Sequence, residues 1–391
     1  MFSAPRSTHM TASAGTPWLN PARVVESARP GHAQISGRDR IVLCSNDYLG
    51  LACEPAVITA SQAAAHRFGA GARGSRRLGG DTTLHRELEY ELADFKHTEA
   101  ALLFSSGFAC NLGVIQALAG PGSLVCSDEL NHASIVDGCR LSRATVAIYR
   151  HLDLDQLERA LESQVDAKTL IVTDSVFSME GDVAPLDAIV NLADRHSSSI
   201  MLDEAHATGV LGPRGEGSVA HFGLEGSVEI LMGTLGKALG SIGGYVAGSR
   251  DLIDYVARHA RTYLFSTSLP AGAVAAALAS LRILRQEPER VRRLWANADL
   301  LHEGLKRQGF RVRDHAAPIN PVVFSDELTA AQFSDALFDE GVVVQAVGPP
   351  YVPSGESRLR TIVSAAHTEE DINRALAAFG AAAQRVGLDN L

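Results

Sequence analysis

Short apolar runs alternate with segments of helical periodicity along most of this chain, and this alternation constrains its fold more than any other feature. Runs of this kind, bounded by polar and glycine-rich segments, are typical of buried strands in a parallel sheet. The alternation therefore predicts an α/β fold with a large, mostly parallel sheet flanked by helices. The predicted strands are Ala100–Phe104, Leu124–Cys126, Thr169–Thr173, Ile200–Leu202 and Ile230–Met232.

Helical spacing is clearest in two segments. Leu84, Leu88, Leu92 and Phe95 recur at helical intervals after Thr83, which predicts a helix with Thr83 as its cap. An alanine-rich helix is predicted from about residue 271 to 285. The pattern of apolar and polar residues changes after it. We predict an N-terminal tail and segment over 1–50, a large domain over 51–287, and a smaller α+β domain over 288–391. The smaller domain is predicted to contain a helix over 290–308, strands near 322–324 and 342–344, and a last helix after Thr368.

Composition limits the classes of function. The 391 residues are 46% hydrophobic, enough for a large core, and the net charge of −10 disfavours nucleic-acid and anionic-membrane partners. No run approaches the ~18 apolar residues of a membrane span. Residues 1–17 lack the apolar segment of a secretory signal, although a transit peptide and a start at Met10 stay open. We expect a soluble cytoplasmic protein, consistent with cysteines that show no metal-ligand or CxxC spacing: Cys44, Cys53, Cys110, Cys126 and Cys139.

Three segments carry residues suited to one cofactor chemistry. Lys237 lies in the glycine-rich segment 233–245, where burial favours the neutral amine that Schiff-base formation needs. Asp203 follows a predicted strand at the sheet edge that binds ligands, and a buried carboxylate there can keep a pyridine nitrogen protonated. The small-residue turn 105–109 offers backbone N–H groups of Gly107 and Phe108 to a phosphate. Together these features resemble a pyridoxal-phosphate site.

Other interpretations compete with this one. Taken singly, a lysine beside glycine is usually a loop residue and a serine-glycine pair is usually a turn. Asp203–His206 also spells the acidic box of a helicase-type NTPase, but the phosphate loop GxxxxGK[ST] is absent because Leu231 and Ala238 occupy two of its positions. A metal site built on Asp203, His206 and His132 lacks a supporting ligand at suitable spacing. Both alternatives are disfavoured.

A set of motifs from about Ile41 to Leu388 resembles the α-oxoamine synthases. These are fold-type-I pyridoxal-phosphate enzymes that condense an amino acid with an acyl-thioester. The resemblance is carried by SNDYLG at 45–50, SSGF at 105–108, NHAS at 131–134, DSVFSM at 174–179, DEAH at 203–206, GTLGKALG at 233–240 and SRLR at 357–360.

The resemblance implies roles around the cofactor ring. Lys237 would form the Schiff base and later act as general base, and Asp203 would face the ring nitrogen. His206 would hydrogen-bond the phenolic oxygen with Ser178 nearby, and His132 would stack on the ring. The implied catalytic residues are Lys237, His132, Asp203 and His206.

The resemblance also implies how the phosphate and substrates are bound. Gly107, Phe108 and Thr234 would hold the phosphate, with Ser266 and Thr267 reaching in from the second subunit of a homodimer that shares its active sites. Arg360 would bind the amino acid's carboxylate through its bidentate guanidinium, with Asn46 and Tyr351 as further substrate contacts.

Within the family, the 8-amino-7-oxononanoate synthase branch of biotin synthesis fits best. That branch uses alanine and a pimeloyl thioester. The segments 76–85 and 347–353 favour it, whereas 233–240, 293–297 and 364–367 favour glycine C-acetyltransferase. Gly348–Tyr351 replaces the usual Arg-Pro-Pro-Thr of the first branch, and its arginine-rich N-terminal helix is not found. A secondary-metabolite synthase and a pyridoxal-phosphate aminotransferase stay as alternatives, and the acyl carrier, coenzyme A or a protein, stays open.

Overall fold

Three sheets organise the computed structural model, which describes residues 23–163, 167–314 and 316–388. The tail predicted over residues 1–17 lies outside the described residues. In chain order the strands are β1 (Ser27–Arg29), β2 (His32–Ile35), β3 (Arg38–Val42), β4 (Ala100–Phe104), β5 (Ser123–Asp128), β6 (Thr145–Tyr149), β7 (Lys168–Asp174), β8 (Ser199–Asp203), β9 (Ile230–Thr234), β10 (Gly244–Gly248), β11 (Ile319–Phe324), β12 (Val342–Val343), β13 (Gln345–Val347) and β14 (Ser357–Ile362).

The central sheet has seven strands in the order β4-β10-β9-β8-β7-β5-β6. All its pairs are parallel except those of β10, which runs antiparallel to β4 and β9. All five predicted apolar runs lie in strands of this sheet, and the predicted α/β fold is confirmed. Val125, Ile171, Val172 and Met201 are fully buried because helices cover both faces.

The helices pack around this sheet and at the chain's C-terminal end. They are α1 (Pro55–Phe68), α2 (Thr83–Phe95), α3 (Gly107–Leu118), α4 (Ala133–Ser142), α5 (Leu154–Glu162), α6 (Leu186–Arg195), α7 (Ser218–Phe222), α8 (Arg250–His259), α9 (Arg261–Leu264), α10 (Ala271–Gln286), α11 (Glu289–Arg307), α12 (Glu327–Asp339) and α13 (Glu369–Arg385), with a 3₁₀ turn at Leu51–Cys53.

The cap of α2 differs from the predicted one by one residue. Thr82, in extended conformation, is the N-cap, and Thr83 is the first helical residue. The reason is the reciprocal contact between Thr82 and His85, whose Nδ1 lies 3.3 Å from the Thr82 backbone nitrogen and 2.8 Å from its Oγ1. The helix itself lies where its apolar spacing predicts it.

Of the two smaller sheets, one is C-terminal and the other joins the two ends of the described chain. β11, β14 and β13 form a small antiparallel sheet, and α11, α12 and α13 lie in the same C-terminal segment. β12, near the strand predicted at 342–344, instead pairs in parallel with β3, so residues from both ends share a four-stranded sheet. The predicted domain limits at residues 50 and 287 stay predictions.

A partly buried histidine, His151, supports the loop that follows β7. His151 Nδ1 lies 3.0 Å from Asp128 Oδ1 and its Nε2 lies 2.9 Å from Asp182 Oδ2. Its ring packs edge-on against Phe177, with 4.4 Å between ring centroids. Burial lowers the pKa of His151, but the hydrogen bonds to both carboxylates outweigh that effect and raise it to about 10.

This arrangement predicts a pH-dependent contribution to stability. Because the folded-state pKa lies above the ordinary value of about 6.5, the stabilisation by His151 is fully present below pH ~6.5 and is lost as pH rises toward 10. We expect His151→Gln to lower the free energy of unfolding by about 2 kcal/mol at pH 6 and by much less at pH 10. Urea unfolding of both chains at the two pH values measures this difference. An equal loss at both would contradict the charged histidine.

Within the described residues, none of the helices combines the length and apolar character needed to cross a membrane. All five cysteines are free thiols, and Cys110, Cys126 and Cys139 are buried. Burial raises the pKa of the Cys126 thiol to about 12, which disfavours its reactive thiolate.

Candidate active site

A cavity of about 160 Å³ lies at the carboxyl ends of β7, β8 and β9. Parallel strands bring their carboxyl ends to one edge, so residues far apart in sequence meet there. Predicted site residues that line this cavity are Gly107, Phe108, His132, Ser178, Asp203, His206, Thr234 and Lys237. Asn111, Ser134, Asp174, Ala205 and Met232 complete its walls.

Lys237 lies in the tight loop between β9 and β10. The loop needs glycine at Gly240, where φ is +56° and a Cβ would lie 2.5 Å from the Ala52 backbone nitrogen. Burial lowers the pKa of Lys237 to about 8, although Asp203 and Asp174 act in the opposite direction. A large fraction of this amine is therefore neutral and nucleophilic near pH 8.

Asp203 ends β8 with its carboxylate almost fully buried. Oδ1 accepts a hydrogen bond from the Ala205 backbone at 2.8 Å, and Oδ2 accepts one from Asn111 Nδ2 at 2.7 Å. These donors compensate part of the cost of burying an anion. They leave a fixed carboxylate at the cavity wall, suited to a protonated ring nitrogen.

Asp174 pairs in register with Asp203 on the adjacent strand. Burial and the charge of Asp203 raise the pKa of Asp174 well above its usual range. We therefore assign the proton of this pair to Asp174 and the negative charge to Asp203. Asp174 Oδ2 also accepts the backbone N–H of His132 at 2.7 Å, which fixes the start of α4.

His132 is the N-cap of α4 and faces Phe108 across the cavity, with 6.2 Å between ring centroids. Its Nδ1 lies 2.7 Å from Ser134 Oγ. Burial lowers the pKa of His132, and the charge of Lys237 lowers it further, whereas Asp203 opposes this. A neutral imidazole at this position can stack on a flat aromatic ligand.

His206 is buried three residues after Asp203, beyond the end of β8. Its Nδ1 lies 2.7 Å from Tyr48 Oη. Burial lowers the pKa of His206 well below its usual range, and it raises the pKa of Tyr48 to about 12. Both groups are therefore neutral near pH 7, and the tautomer of His206 decides which of them donates in this contact.

The start of α3 forms an anion-binding end of the cavity. Ser106 caps the helix by accepting the N–H of Ala109 at 3.0 Å, which leaves the N–H groups of Gly107 and Phe108 at the positive end of the helix. A Cβ at Gly107 would lie 3.1 Å from Met232 Cε and would narrow the cavity. Thr234 lines the same end. The residues present thus fit pyridoxal phosphate: an amine whose pKa burial lowers, a buried carboxylate and a cradle for a phosphate.

Arg360 lies on β14 beside the loop that carries Ser178. Its Nε donates to the Ser178 carbonyl, and its Nη1 lies 3.3 Å from Asn46 Oδ1. Among the described residues, no carboxylate forms an ion pair with this guanidinium. Arg358, two residues earlier, is paired with Glu180 and Glu356 at 3.0 Å each. Arg360 is thus a partly buried cation able to accept an anionic ligand.

Five predicted residues do not line this cavity in the single chain: Asn46 and Arg360, described above, and Ser266, Thr267 and Tyr351. Ser266 and Thr267 line a separate small pocket with Arg76 and Tyr263. Tyr351 is 63% exposed in the segment after β13 and does not line the cavity. Their predicted roles stay predictions.

Glu204 has a structural role that excludes it from the NTPase interpretation. Its carboxylate forms a fully buried ion pair with Lys96 at 2.5 Å and accepts the N–H of Ser218 at 2.6 Å. No cluster of metal-ligating side chains occurs in the described parts of the chain. Within residues 203–206, Asp203 therefore lines the cavity, whereas Glu204 binds Lys96, the residue that follows α2.

Sequence reasoning did not assign roles to four residues of the site. Tyr48, Ser134 and Asp174 lie within the quoted motifs, so their positions carried a signal. Asn111 lies outside them, one helical turn after Gly107, and only the packing of α3 against α4 reveals its place.

The comparisons with known proteins agree with this geometry. The class I and II aminotransferase family matches residues 38–379. An 8-amino-7-oxononanoate synthase of Symbiobacterium thermophilum is 49% identical over 371 residues, covering 94% of each chain.

Solved structures give the same relationship. A serine palmitoyltransferase from S. paucimobilis with a bound PLP-myriocin aldimine is 38% identical, with a TM-score of 0.91 over 94% of this chain and 93% of that one. An 8-amino-7-oxononanoate synthase from Francisella tularensis is 28% identical, with a TM-score of 0.76 over 90% of this chain and 99% of that one. The chain belongs to the class I and II aminotransferase family and, within it, to the α-oxoamine synthases.

Proposed function

We propose that this chain is a pyridoxal-phosphate-dependent 8-amino-7-oxononanoate synthase of biotin synthesis, acting in the cytoplasm. The observation that carries the cofactor chemistry is the amine of Lys237, whose pKa burial lowers to about 8, in one cavity with the buried carboxylate of Asp203. The branch is supported by relatives of 44–49% identity that bear this name. In the overall reaction, the α carbon of alanine bonds to the thioester carbonyl carbon, the thiol leaves, and the alanine carboxylate departs as carbon dioxide.

Bound pyridoxal phosphate would supply an electron sink for negative charge at the amino acid's α carbon. Lys237 Nζ would hold the cofactor and then remove the α-proton, and its pKa of about 8 suits proton exchange near neutral pH. Asp203 would hold the proton of the ring nitrogen. His206 would hydrogen-bond the phenolic oxygen, and Gly107, Phe108 and Thr234 would bind the phosphate.

Arg360 would orient the amino acid by binding its carboxylate. We expect Arg360→Ala to raise the KM for alanine about tenfold to a hundredfold, because a charge-assisted hydrogen-bonded pair is lost. Steady-state kinetics at saturating thioester measure this change. Arg358→Ala is the matched control, since removing the partner of Glu180 should lower the free energy of unfolding rather than change the KM. An unchanged KM in Arg360→Ala would contradict the assignment.

The protein would act as a homodimer in which Ser266 and Thr267 complete the partner's phosphate site. Support comes from their position outside the cavity of their own chain and from Phe265 beside them, which is 74% exposed. Inactive Lys237→Ala and weakened Thr267→Ala chains, mixed and refolded, should regain activity because one hybrid site carries neither change. A mixture no more active than its separate parts would contradict shared sites.

One observation favours a second candidate, a serine palmitoyltransferase. Structures with that name superpose better, with a TM-score of 0.91–0.92, than the 8-amino-7-oxononanoate synthase structure does. The test crosses pimeloyl, acetyl and palmitoyl thioesters of coenzyme A, and pimeloyl carrier protein, with alanine, glycine and serine, and reads products by mass. Our proposal predicts 8-amino-7-oxononanoate from alanine and a pimeloyl donor as the dominant product. A dominant product from serine and palmitoyl-CoA, from glycine and acetyl-CoA, or amino-group transfer without condensation would overturn it.

A further inference from the structure

A continuous chain of hydrogen bonds joins Asp203 to His132 through two residues without an assigned role. Asn111 Nδ2 lies 2.7 Å from Asp203 Oδ2 and 2.9 Å from Ser134 Oγ. Ser134 Oγ in turn lies 2.7 Å from His132 Nδ1. Asn111 and Ser134 are each 1% exposed, so water does not compete for these contacts.

The fold brings these residues together through the close packing of two helices. Asn111 lies on α3, and Ser134 lies in the first turn of α4. At Gly138 of α4, a Cβ would lie 2.9 Å from Ile115 Cδ1 and 3.3 Å from the Asn111 carbonyl oxygen. Glycine therefore permits the approach that places the amide beside the hydroxyl.

The Asp203 carboxylate fixes the direction of the first hydrogen bond in the chain. A carboxylate only accepts, so the Asn111 amide turns its NH₂ group toward Asp203 and Ser134, while its buried Oδ1 has no partner among the described residues. Ser134 Oγ accepts from Asn111, and we assign its own proton to the contact with His132 Nδ1 because that nitrogen also serves as an acceptor for the Ser134 backbone. The backbone N–H of Ser134 donates to the same nitrogen at 3.2 Å.

We propose that Asn111 and Ser134 are positioning residues that tie His132 to Asp203 and hold its imidazole neutral, with Nδ1 as acceptor and the proton on Nε2. This inference rests on the proposed function for its catalytic meaning, because His132 is there the residue that stacks on the cofactor. The hydrogen bonds themselves involve only residues of this chain. The charged groups that face His132 are Asp203 and Lys237; the titratable groups Asp174, bonded to its backbone, and His206 also lie near it.

The test follows His132 itself by NMR in the full chain labelled with ¹⁵N-histidine, with and without pyridoxal phosphate. The signal is assigned by its loss in His132→Asn. In the wild type we expect a protonated Nε2 and an unprotonated Nδ1. In Asn111→Ala and Ser134→Ala the titration midpoint should rise by about one pH unit, because a hydrogen bond that favours the neutral form is lost, and the Nδ1–H tautomer should appear.

Two further variants distinguish the loss of the hydrogen bonds that position His132 from a general destabilisation of the fold. Ser134→Thr keeps the hydroxyl and should restore the wild-type titration. Asn297→Ala removes a buried amide that bonds the carbonyls of Ser364 and His367, away from this chain of bonds, and should leave His132 unchanged.

An unchanged His132 tautomer and midpoint in folded Ser134→Ala would overturn the proposal, as would an equal shift in Asn297→Ala. If Asn111→Ala does not fold, Ser134→Ala alone decides. Because the titration is also recorded without cofactor or substrate, it can fail while the thioester panel succeeds, and the reverse, so the two proposals are tested separately.

Discussion

Lys237→Ala is expected to lower the rate of condensation at least about a thousandfold. The change removes both the amine that would hold the cofactor and the base that would take the α-proton, and a positioned base alone contributes about a hundredfold to ten-thousandfold. Product formation from alanine and the pimeloyl thioester measures the loss. The absorbance near ~420 nm that covalent attachment to an amine produces should also disappear.

A surface lysine provides the control for this change. Lys306 is 41% exposed in its side chain and pairs with Asp314, so Lys306→Ala should keep both the activity and the absorbance band. Attachment of the cofactor to the apo wild-type chain should speed up as pH rises through about 8, because the neutral amine is the nucleophile. An active Lys237→Ala chain with an intact band would contradict the assignment.

The second large effect is expected at Asp203, and its neighbour supplies the comparison. Asp203→Asn should lower kcat about a hundredfold or more, because the amide cannot balance a protonated ring nitrogen. Asp174→Asn should cost less than about tenfold, since the neutral carboxyl of Asp174 is replaced by a neutral amide of the same shape that still accepts the N–H of His132.

Kinetics of the two variants, measured with cofactor affinity, distinguish the carboxyl groups. Both substitutions remove one acid from the same pair of strands, so general damage to the sheet would affect them alike. Equal losses, or a larger loss in Asp174→Asn, would contradict the different roles assigned to the two carboxyl groups.

Local patterns predict the sheet well because its strands are unusually apolar. Ala100–Phe104 and Ile230–Met232 are buried on both faces, and continuous apolar runs between turns are a strong signal. The pairing of Val342–Val343 with β3 was not predictable, because a two-residue strand carries no periodicity and its partner is distant in the chain. The cap at Thr82 was missed since Thr83 satisfies the same preference.

Some residues of the candidate active site were likewise predictable from the sequence, and others were not. Lys237 and Asp203 were predictable from chemistry. A lysine within a glycine-rich turn suits Schiff-base formation, and an acid after a buried strand can keep a ring nitrogen protonated. Asn111 was not, because its role depends on how α3 packs against α4. Ser266 and Thr267 were predictable only by resemblance, and a single chain does not place them in a cavity with Lys237.

The most direct test of this account is to reduce the protein with borohydride in the presence of pyridoxal phosphate and to locate the added mass by peptide mapping. We expect one modified site, Lys237, since burial lowers the pKa of its amine to about 8 in the cavity that Asp203 also lines. Label on another lysine, or a protein that takes up no label, would contradict it.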